Sequence, residues 1–560
     1  MTWTQNFTPV GDHLALSALV ALIPILYFFW ALAIKRMKGY MAGLTTLLVA
    51  LAIVVVVYKM PVGMAVMSVS QGAVYGILPI GWIIITSVFL YKLTVKTGQF
   101  DIIRNSVLSI TEDRRLQALL VAFSFGAFLE GAAGFGAPVA ISAALLVGLG
   151  FHPLYAAGIC LIANTAPVAF GAIGIPITAM EGPTGVPAME ISKMVGRQLP
   201  FLSIFIPFYL VVIMAGLKKT MEVLPAILVS GLSFALTQYL SSNFLGPELP
   251  DILSALVSLA ALAIFLKFWK PKSIFRFQSD AYPEIAATAL AKQATHTKGE
   301  VFKAWSPFLV LTTFISVWGI PAIKAALTGH YEGTNGLLKL INALGHQLTF
   351  MPEVPGLNNK IINASGQPIA AVYKLELLGA AGTAILLAAV VTKFIVKISW
   401  RDWTATFVET LKELKFPIIT IGAVVGFAYV ANASGMSTTL GMALAKTGVL
   451  FPFFSPFLGW LGVFITGSDT SSNLLFGNLQ KVTATSIGMD PVLALASNSS
   501  GGVVGKMISP QSIAVACAAV GLAGKESDLF RFTIKHSVFL IFLIGILTFL
   551  QSNVLSWMIP

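Results

Sequence analysis

Charged side chains are scarce in this sequence: 10% of its 560 residues are Asp, Glu, Lys or Arg, and 57% are hydrophobic. Ordinary soluble domains carry about a quarter charged residues, so a water-soluble globule is excluded and an integral membrane protein is indicated. Cysteine is nearly absent. Cys160 and Cys517 both lie inside apolar runs, where they read as small hydrophobes rather than a disulfide. No Cys or His spacing suits a metal, and no cofactor is expected. The stretch Gly501-Gly-Val-Val-Gly505-Lys506 falls short of a phosphate loop, which would need Gly at Ser500 and Ser or Thr at Met507. No GxSxG elbow, zinc-binding helix or paired-Asp protease arrangement stands out, so the chain is not read as an enzyme. The first residues, Met-Thr-Trp-Thr-Gln-Asn-Phe, lack the basic leader of a cleaved signal peptide.

What is present is apolar sequence in helix-length runs of about 18 residues or more, as in Leu14–Ile34, Met41–Tyr58 and Ile252–Trp269. A membrane β-barrel would instead alternate in segments of about 10 residues. The fold expected is therefore an all-α polytopic membrane protein. About twelve crossing helices fall near residues 14–34, 41–58, 75–95, 153–177, 199–217, 221–241, 252–268, 305–325, 375–397, 414–432, 490–520 and 536–556. A net charge of +12 would suggest nucleic acid in a soluble protein. Here it reads as Lys and Arg gathered in cytoplasmic loops. Those loops are Lys35-Arg36-Met-Lys38, Arg104 with Arg114-Arg115, Lys218-Lys219, Lys267 to Lys303, Lys393 to Arg401 and Lys525 to Lys535. Alternation then puts the long loop 326–372 and both termini outside.

The alternation closes only if residues 117–150 leave and return on the cytoplasmic side and 450–488 do so from outside. An arm such as Gln117–Glu130 spans about 21 Å, short of the roughly 30 Å hydrocarbon core. Two re-entrant hairpins of opposite orientation are expected. Landmarks agree: Gly98 with Gly435, Gly131 with Gly467, Asn164 with Asn498 and Arg197 with Arg531 are separated by 334 to 337 residues. The division expected is a first inverted repeat over 1–220, a connecting helix pair and cytoplasmic linker over 221–303, and a second repeat over 304–560.

Irregular backbone at membrane depth is tolerated only where protein buries it or water lines it, and paired interrupted segments point to a transporter binding site. The hairpin tips are Gly131-Ala-Ala-Gly134-Phe-Gly136 and Gly467-Ser468-Asp469-Thr470-Ser471-Ser472-Asn473. The helix breaks are expected at Asn164-Thr165-Ala166-Pro167 with Gly171-Ala-Ile-Gly174-Ile-Pro176, and at Asn498-Ser499-Ser500-Gly501-Gly502 with Ser509-Pro510-Gln511. Free amides at the half-helix starts favour a small anion, and the hydroxyls of Ser468, Thr470, Ser471 and Ser472 add donors. Gly148, Gly150, Gly459 and Gly462 read instead as close-packing positions. Three ionisable residues stand inside membrane segments, Glu130, Asp469 and Lys506, and each is a functional candidate. Lys506 suits either a substrate carboxylate or an ion pair with Asp469 or Glu130. Glu130 and Asp469 suit either a coupling proton or a capping role at a hairpin tip. Arg197 and Arg531 read as interfacial anchors.

Gly131-Ala-Ala-Gly-Phe-Gly-Ala-Pro138, Asn164-Thr-Ala-Pro-Val-Ala-Phe-Gly171, Gly467-Ser-Asp-Thr-Ser-Ser-Asn473 and Gly505-Lys-Met-Ile-Ser-Pro-Gln-Ser-Ile513 resemble the bacterial L-lactate permease family, which includes glycolate permeases. Asn243 to Asp251 and Lys525 to Phe532 fit it as well. The resemblance implies proton-coupled uptake of small 2-hydroxymonocarboxylates across the bacterial inner membrane by an elevator-like movement. Expected partners are lactate or glycolate, protons and the lipid bilayer, with room for a homo-oligomer and none for nucleic acid. A sodium-coupled carrier, and from other classes a passive anion channel or an intramembrane enzyme, are the alternatives.

Overall fold

A computed structural model describes residues 2–132, 134, 137–277, 296–363, 366–522 and 524–560. Most of the expected cytoplasmic linker, residues 278–295, and the tip residue Gly136 lie outside the described residues. Among the described residues 11 helices are long and apolar enough to cross a membrane, or up to 13 if each of two bent pairs is one span. The chain is thus an all-α polytopic membrane protein, and the expected count of about twelve falls inside that range. Exposed Leu, Ile, Phe and Val line the outer faces of these helices, as at Leu19, Leu48, Phe201, Leu236 and Ile546. Hydrocarbon, not water, is the surround such surfaces fit.

Contacts sort the loops into two groups. On one side Arg115, fully buried, pairs with Asp113 at 2.7 Å and Glu222 at 3.0 Å. Its guanidinium also donates to the carbonyls of Lys219 and Ser273. Hydrogen bonds from Lys219 and Arg115 pull the Glu222 carboxyl down to about 2. All these residues come from segments read as cytoplasmic. On the other side Trp3–Thr4 pairs in parallel with Ile361–Ile362, which pairs antiparallel with Pro368–Ile369. A second small ladder joins Thr349–Phe350 to Leu375–Glu376. The amino terminus and the loop 326–372 therefore share a face, as the alternation requires.

Both expected hairpins are antiparallel helix pairs. The first rises through Arg114–Gln117, Ala118–Phe125 and Gly126–Ala132 and returns through Ala137–Gly148. Arg114 stacks over Phe151 at 5.9 Å, so the chain leaves beside the point where it came in. Its rising arm starts at Arg114, three residues earlier than expected, and is long enough to pass as a span on length and composition. The second hairpin pairs Phe451–Thr466 with Asp469–Ile487. Its turn falls on Gly467 (φ 69°), whereas in the first the left-handed residue is Gly134 (φ 56°) and the matched Gly131 is still helical.

The broken helices follow each hairpin. Pro153–Ala163 and Val168–Thr184 meet at a 65° bend, and Pro491–Lys506 meets Pro510–Ala519 at 40°. The second break was expected over Asn498–Gly502 together with Ser509-Pro510-Gln511. Asn498 to Gly502 lie inside an uninterrupted helix, and the chain breaks only at the latter part, at Met507–Ser509. The reason is packing. A Cβ on Gly501 would come 2.0 Å from the Pro456 carbonyl, and one on Gly505 2.3 Å from that of Trp460. These glycines let the helix Phe451–Thr466 cross at backbone contact. Gly459 serves the same crossing, facing Asn498, while Gly462 lets the hairpin's return arm approach, facing Ser472. Gly148, by contrast, has open space and Gly150 turns the chain at φ 93°, so the close-packing reading fails for that pair.

Candidate functional site

The hairpin tips and the breaks converge on one open cavity of about 1400 Å³. Glu130 and Gly134 reach it from the first hairpin, and Gly467, Ser468, Asp469, Thr470 and Ser471 from the second. Ala172, Ile175 and Pro176 come from the first broken helix, and Lys506, Gln511 and Ser512 from the second. The facing wall is built from Phe28 and Leu32 and from Phe416, Pro417 and Thr420 of the long helix Trp400–Ala433. Arg36, Lys38, Glu526 and Arg531 line its mouth. Basic groups predominate there, which raises the local concentration of anions. Arg531 is thus part of the cavity, while Arg197 is bound to Asn243 and the Met558 carbonyl.

Two acids occupy the tips, and they are held differently. Glu130 is 3% exposed and its Oε1 accepts from Lys506 Nζ at 2.6 Å, while Oε2 has no hydrogen-bond partner among the described residues. The ion-pair reading of Lys506 thus holds in this arrangement, with Glu130 as the partner. Asp469 Oδ2 accepts from Ser499 Oγ at 2.6 Å and Asn473 Nδ2 at 3.3 Å. Its Oδ1 is buried without a partner among the described residues. Behind it runs a hydrogen-bonded chain. Asn498 donates to Asn473 at 2.8 Å, Gln480 donates to Asn498 at 2.8 Å, and Ser455 donates to Gln480. Asn473 also donates to the Pro176 carbonyl at 3.0 Å, tying the second hairpin to the first broken helix.

The expected site residues therefore divide. Glu130, Gly134, Ser468, Asp469, Thr470, Ser471, Lys506 and Gln511 line the cavity. Ser499, Asn473 and Asn498 stand one layer behind, orienting Asp469 and each other. Ser472 donates to the Gly459 carbonyl and Thr165 to that of Ile162. Both are fully buried and satisfied. Ser509 caps the helix Pro510–Ala519, accepting from Ser512 N. Asn164 ends its helix beside the break, with Nδ2 buried and unpartnered among the described residues. Ahead of Ile175 the backbone is left-handed at Ala172, Ile173 and Gly174 in succession. Two of these carry side chains, and such strain persists only where surroundings enforce it, often at ligand sites.

Residues 17–555 match the L-lactate permease family. The chain belongs to that family. It is 75% identical to the L-lactate permease of Bacillus subtilis (strain 168) and 52% identical to the glycolate permease GlcA of Escherichia coli (strain K12). Each alignment covers 100% of both proteins. A solved structure, the efflux pump MtrF of Neisseria gonorrhoeae, aligns with 87% of this chain and 83% of its own at 13% identity. Its TM-score of 0.47 is too low to carry an argument. In this family member the sequence reading missed Gln480, Ser455 and Asp251. Gln480 and Ser455 give no signal, since a polar residue on a hairpin arm looks like any helix-packing residue. Asp251 did give one: an acid directly preceding the apolar run Ile252–Trp269.

Proposed function

We propose that this chain is a secondary active transporter importing small 2-hydroxymonocarboxylates, L-lactate first and also D-lactate and glycolate, by proton symport. The observation that carries the reading is the buried Lys506–Glu130 pair in the wall of an open cavity, at 2.6 Å. A carboxylate substrate reaches the Lys506 ammonium by displacing Glu130. Left as a buried anion without its counterion, Glu130 would cost about 3–5 kcal/mol, unless a proton joins it. Anion and proton then load together, and the loaded site has the same net charge as the empty one. Thr470 and Ser471 are placed to read the 2-hydroxyl, and the backbone at Gly134 and Ala172 allows close approach. Asp469, held from behind, keeps the second tip in shape and is the alternative proton carrier.

Orientation follows from charge. With the Arg115 cluster cytoplasmic, both termini are outside and the cavity mouth at Arg36, Lys38 and Arg531 opens inward across the bacterial inner membrane. The units 1–220 and 304–560 are proposed as inverted repeats flanking 221–303. Their hairpins and broken helices would slide as one body past the wall formed by residues 14–34 and 400–433, which is the elevator reading. Lactate uptake into proteoliposomes tests the function. Accumulation under an inward proton gradient, abolished when the gradient is collapsed, is the expected result, and equal uptake in both conditions refutes the coupling. The unpartnered Asp469 Oδ1 beside Ser499 and Asn473 is the one feature that favours sodium instead. Uptake that follows sodium rather than protons would decide for that reading.

A further inference from the structure

Asp251 opens the helix Pro250–Phe268, and its side chain is 1% exposed. Neither carboxyl oxygen has a hydrogen-bond partner among the described residues. In a structure where Glu130, Asp469 and Arg115 are each bonded, a buried carboxyl with nothing on either oxygen calls for an account. Its surroundings narrow the choice. A Cβ on Gly131 would lie 2.7 Å from the Asp251 Cβ, so Asp251 packs on the residue next to Glu130. Glu130 and Lys506 are the charged groups within electrostatic reach of it. Glu181, on the broken helix packed alongside, and Glu248, three residues before it, are the other acids nearby, with Lys324 facing Glu248. The neighbouring helix Leu224–Phe244 contributes no acidic or basic side chain, and Tyr239 is its one phenol.

Asp251 also stands on the far side of Glu130 from the cavity mouth. It does not line the cavity, whereas Glu130 does. The segment leading into it, Leu245 to Leu249, packs against Gly319 and the left-handed turn at Gly174, near Lys324 and the start of the loop 326–372. The mouth instead adjoins the Arg115 side, where Tyr155 packs on Phe532 and Phe151 on Phe277.

We propose that Asp251 relays the coupling proton between Glu130 and the face opposite the cavity mouth. The proposal rests on the symport reading above. When the carboxylate of a substrate arriving from outside draws Lys506 away, the Asp251 carboxyl gives its proton to the Glu130 carboxylate. Asp251 becomes the carboxylate and is reprotonated from water on the far face. When substrate leaves and Lys506 returns, Glu130 releases its proton to the cavity. The Lys506–Glu130 pair is the gate, because Glu130 accepts no proton while it is bound to Lys506, so no proton passes along the relay while the site is empty.

The test is Asp251→Asn, with Asp251→Glu as the conservative variant, in proteoliposomes. Two readings are taken: lactate counterflow, which needs no net proton movement, and accumulation driven by a proton gradient. Asp251→Asn is expected to keep counterflow within about twofold of wild type while accumulation falls about tenfold or more. Asp251→Glu is expected to restore accumulation, with its pH midpoint moved by about half a unit or more. Accumulation by Asp251→Asn equal to wild type overturns the proposal, and so does an equal loss of both readings in a variant that elutes like wild type. Should Asp251→Asn not assemble, the Asp251→Glu profile decides, and an unmoved profile refutes the relay. A wild-type protein indifferent to the proton gradient would sink the symport reading itself. A coupled wild type with a coupled Asp251→Asn sinks only the relay.

Discussion

The two hairpin tips each present one carboxyl to the same cavity, yet they anchor it in opposite ways. Glu130, on a tip made mostly of Gly and Ala, reaches 376 residues along the chain to Lys506 in the other half. Asp469 is held by Ser499 and Asn473, 30 and 4 residues away within its own half. A contact made between halves is broken by anything that inserts between them or moves one against the other. A contact within one half travels with it. On the symport reading proposed above, the first carboxyl would change partners and the second stay put, with switching at the poorer tip and shape at the richer one.

The strongest challenge to this contrast is Lys506→Ala. It removes the counter-charge of a buried carboxylate, and uptake should fall to the level of empty liposomes. Breaking such a pair from one side also costs about 3–5 kcal/mol of stability, readable as a lower denaturation temperature in detergent. Adding Glu130→Gln should recover most of that stability and none of the transport. Substantial uptake by Lys506→Ala would end the switching role. Next in size is the pair Glu130→Gln and Asp469→Asn. Glu130→Gln should abolish the dependence of uptake on the proton gradient. Asp469→Asn should lower uptake about tenfold but leave that dependence intact. The reverse pattern would invert the comparison and hand the proton to the second tip.

Gly502→Ala acts on the second tip without touching a polar group. The added Cβ would stand 2.1 Å from Asp469 Oδ1, so either the carboxylate or the helix crossing must shift. Overpacking of this kind costs about 1–3 kcal/mol, and uptake should drop with it. Gly148→Ala is the control, since nothing lies within 4 Å of that position. Equal stability losses in the two would show that Asp469 is not clamped as described.

The same glycines explain what could and could not be read from sequence. The hairpins were legible because short apolar arms flank tips unsuited to continuous helix, and the break at Asn164 because Pro167 follows it. Of the second break, the part at Ser509-Pro510 was legible for the same reason, but the part assigned to Asn498–Gly502 was not, since Gly501, Gly502 and Gly505 permit a close helix crossing and composition does not distinguish a crossing from a rupture. Among the hydroxyls, Ser471 and Ser472 are adjacent and identical in sequence, and only packing separates them. Glu130 and Lys506 were each legible as buried charges, but a pairing over 376 residues depends on how the halves dock.

That last pair of serines gives the smallest and most local test. Ser471 is half-buried at the cavity wall, and its hydroxyl makes no hydrogen bond among the described residues, though its backbone N–H donates to Ser468 Oγ at 3.2 Å. Ser472, one residue on, turns its hydroxyl away to the Gly459 carbonyl at 3.1 Å. If the second tip reads the substrate through its free hydroxyls, Ser471→Ala removes one hydrogen bond to substrate. That is worth about 0.5–1.5 kcal/mol, so KM for lactate should rise about 2- to 10-fold with unchanged stability. Ser472→Ala should do the opposite, lowering stability by about 1 kcal/mol with KM unmoved. Because the two changes are chemically the same, any difference between them measures position alone. A KM effect at Ser472 and none at Ser471 would mean that the tip is rearranged when substrate binds, and that the second carboxyl does not stay put after all.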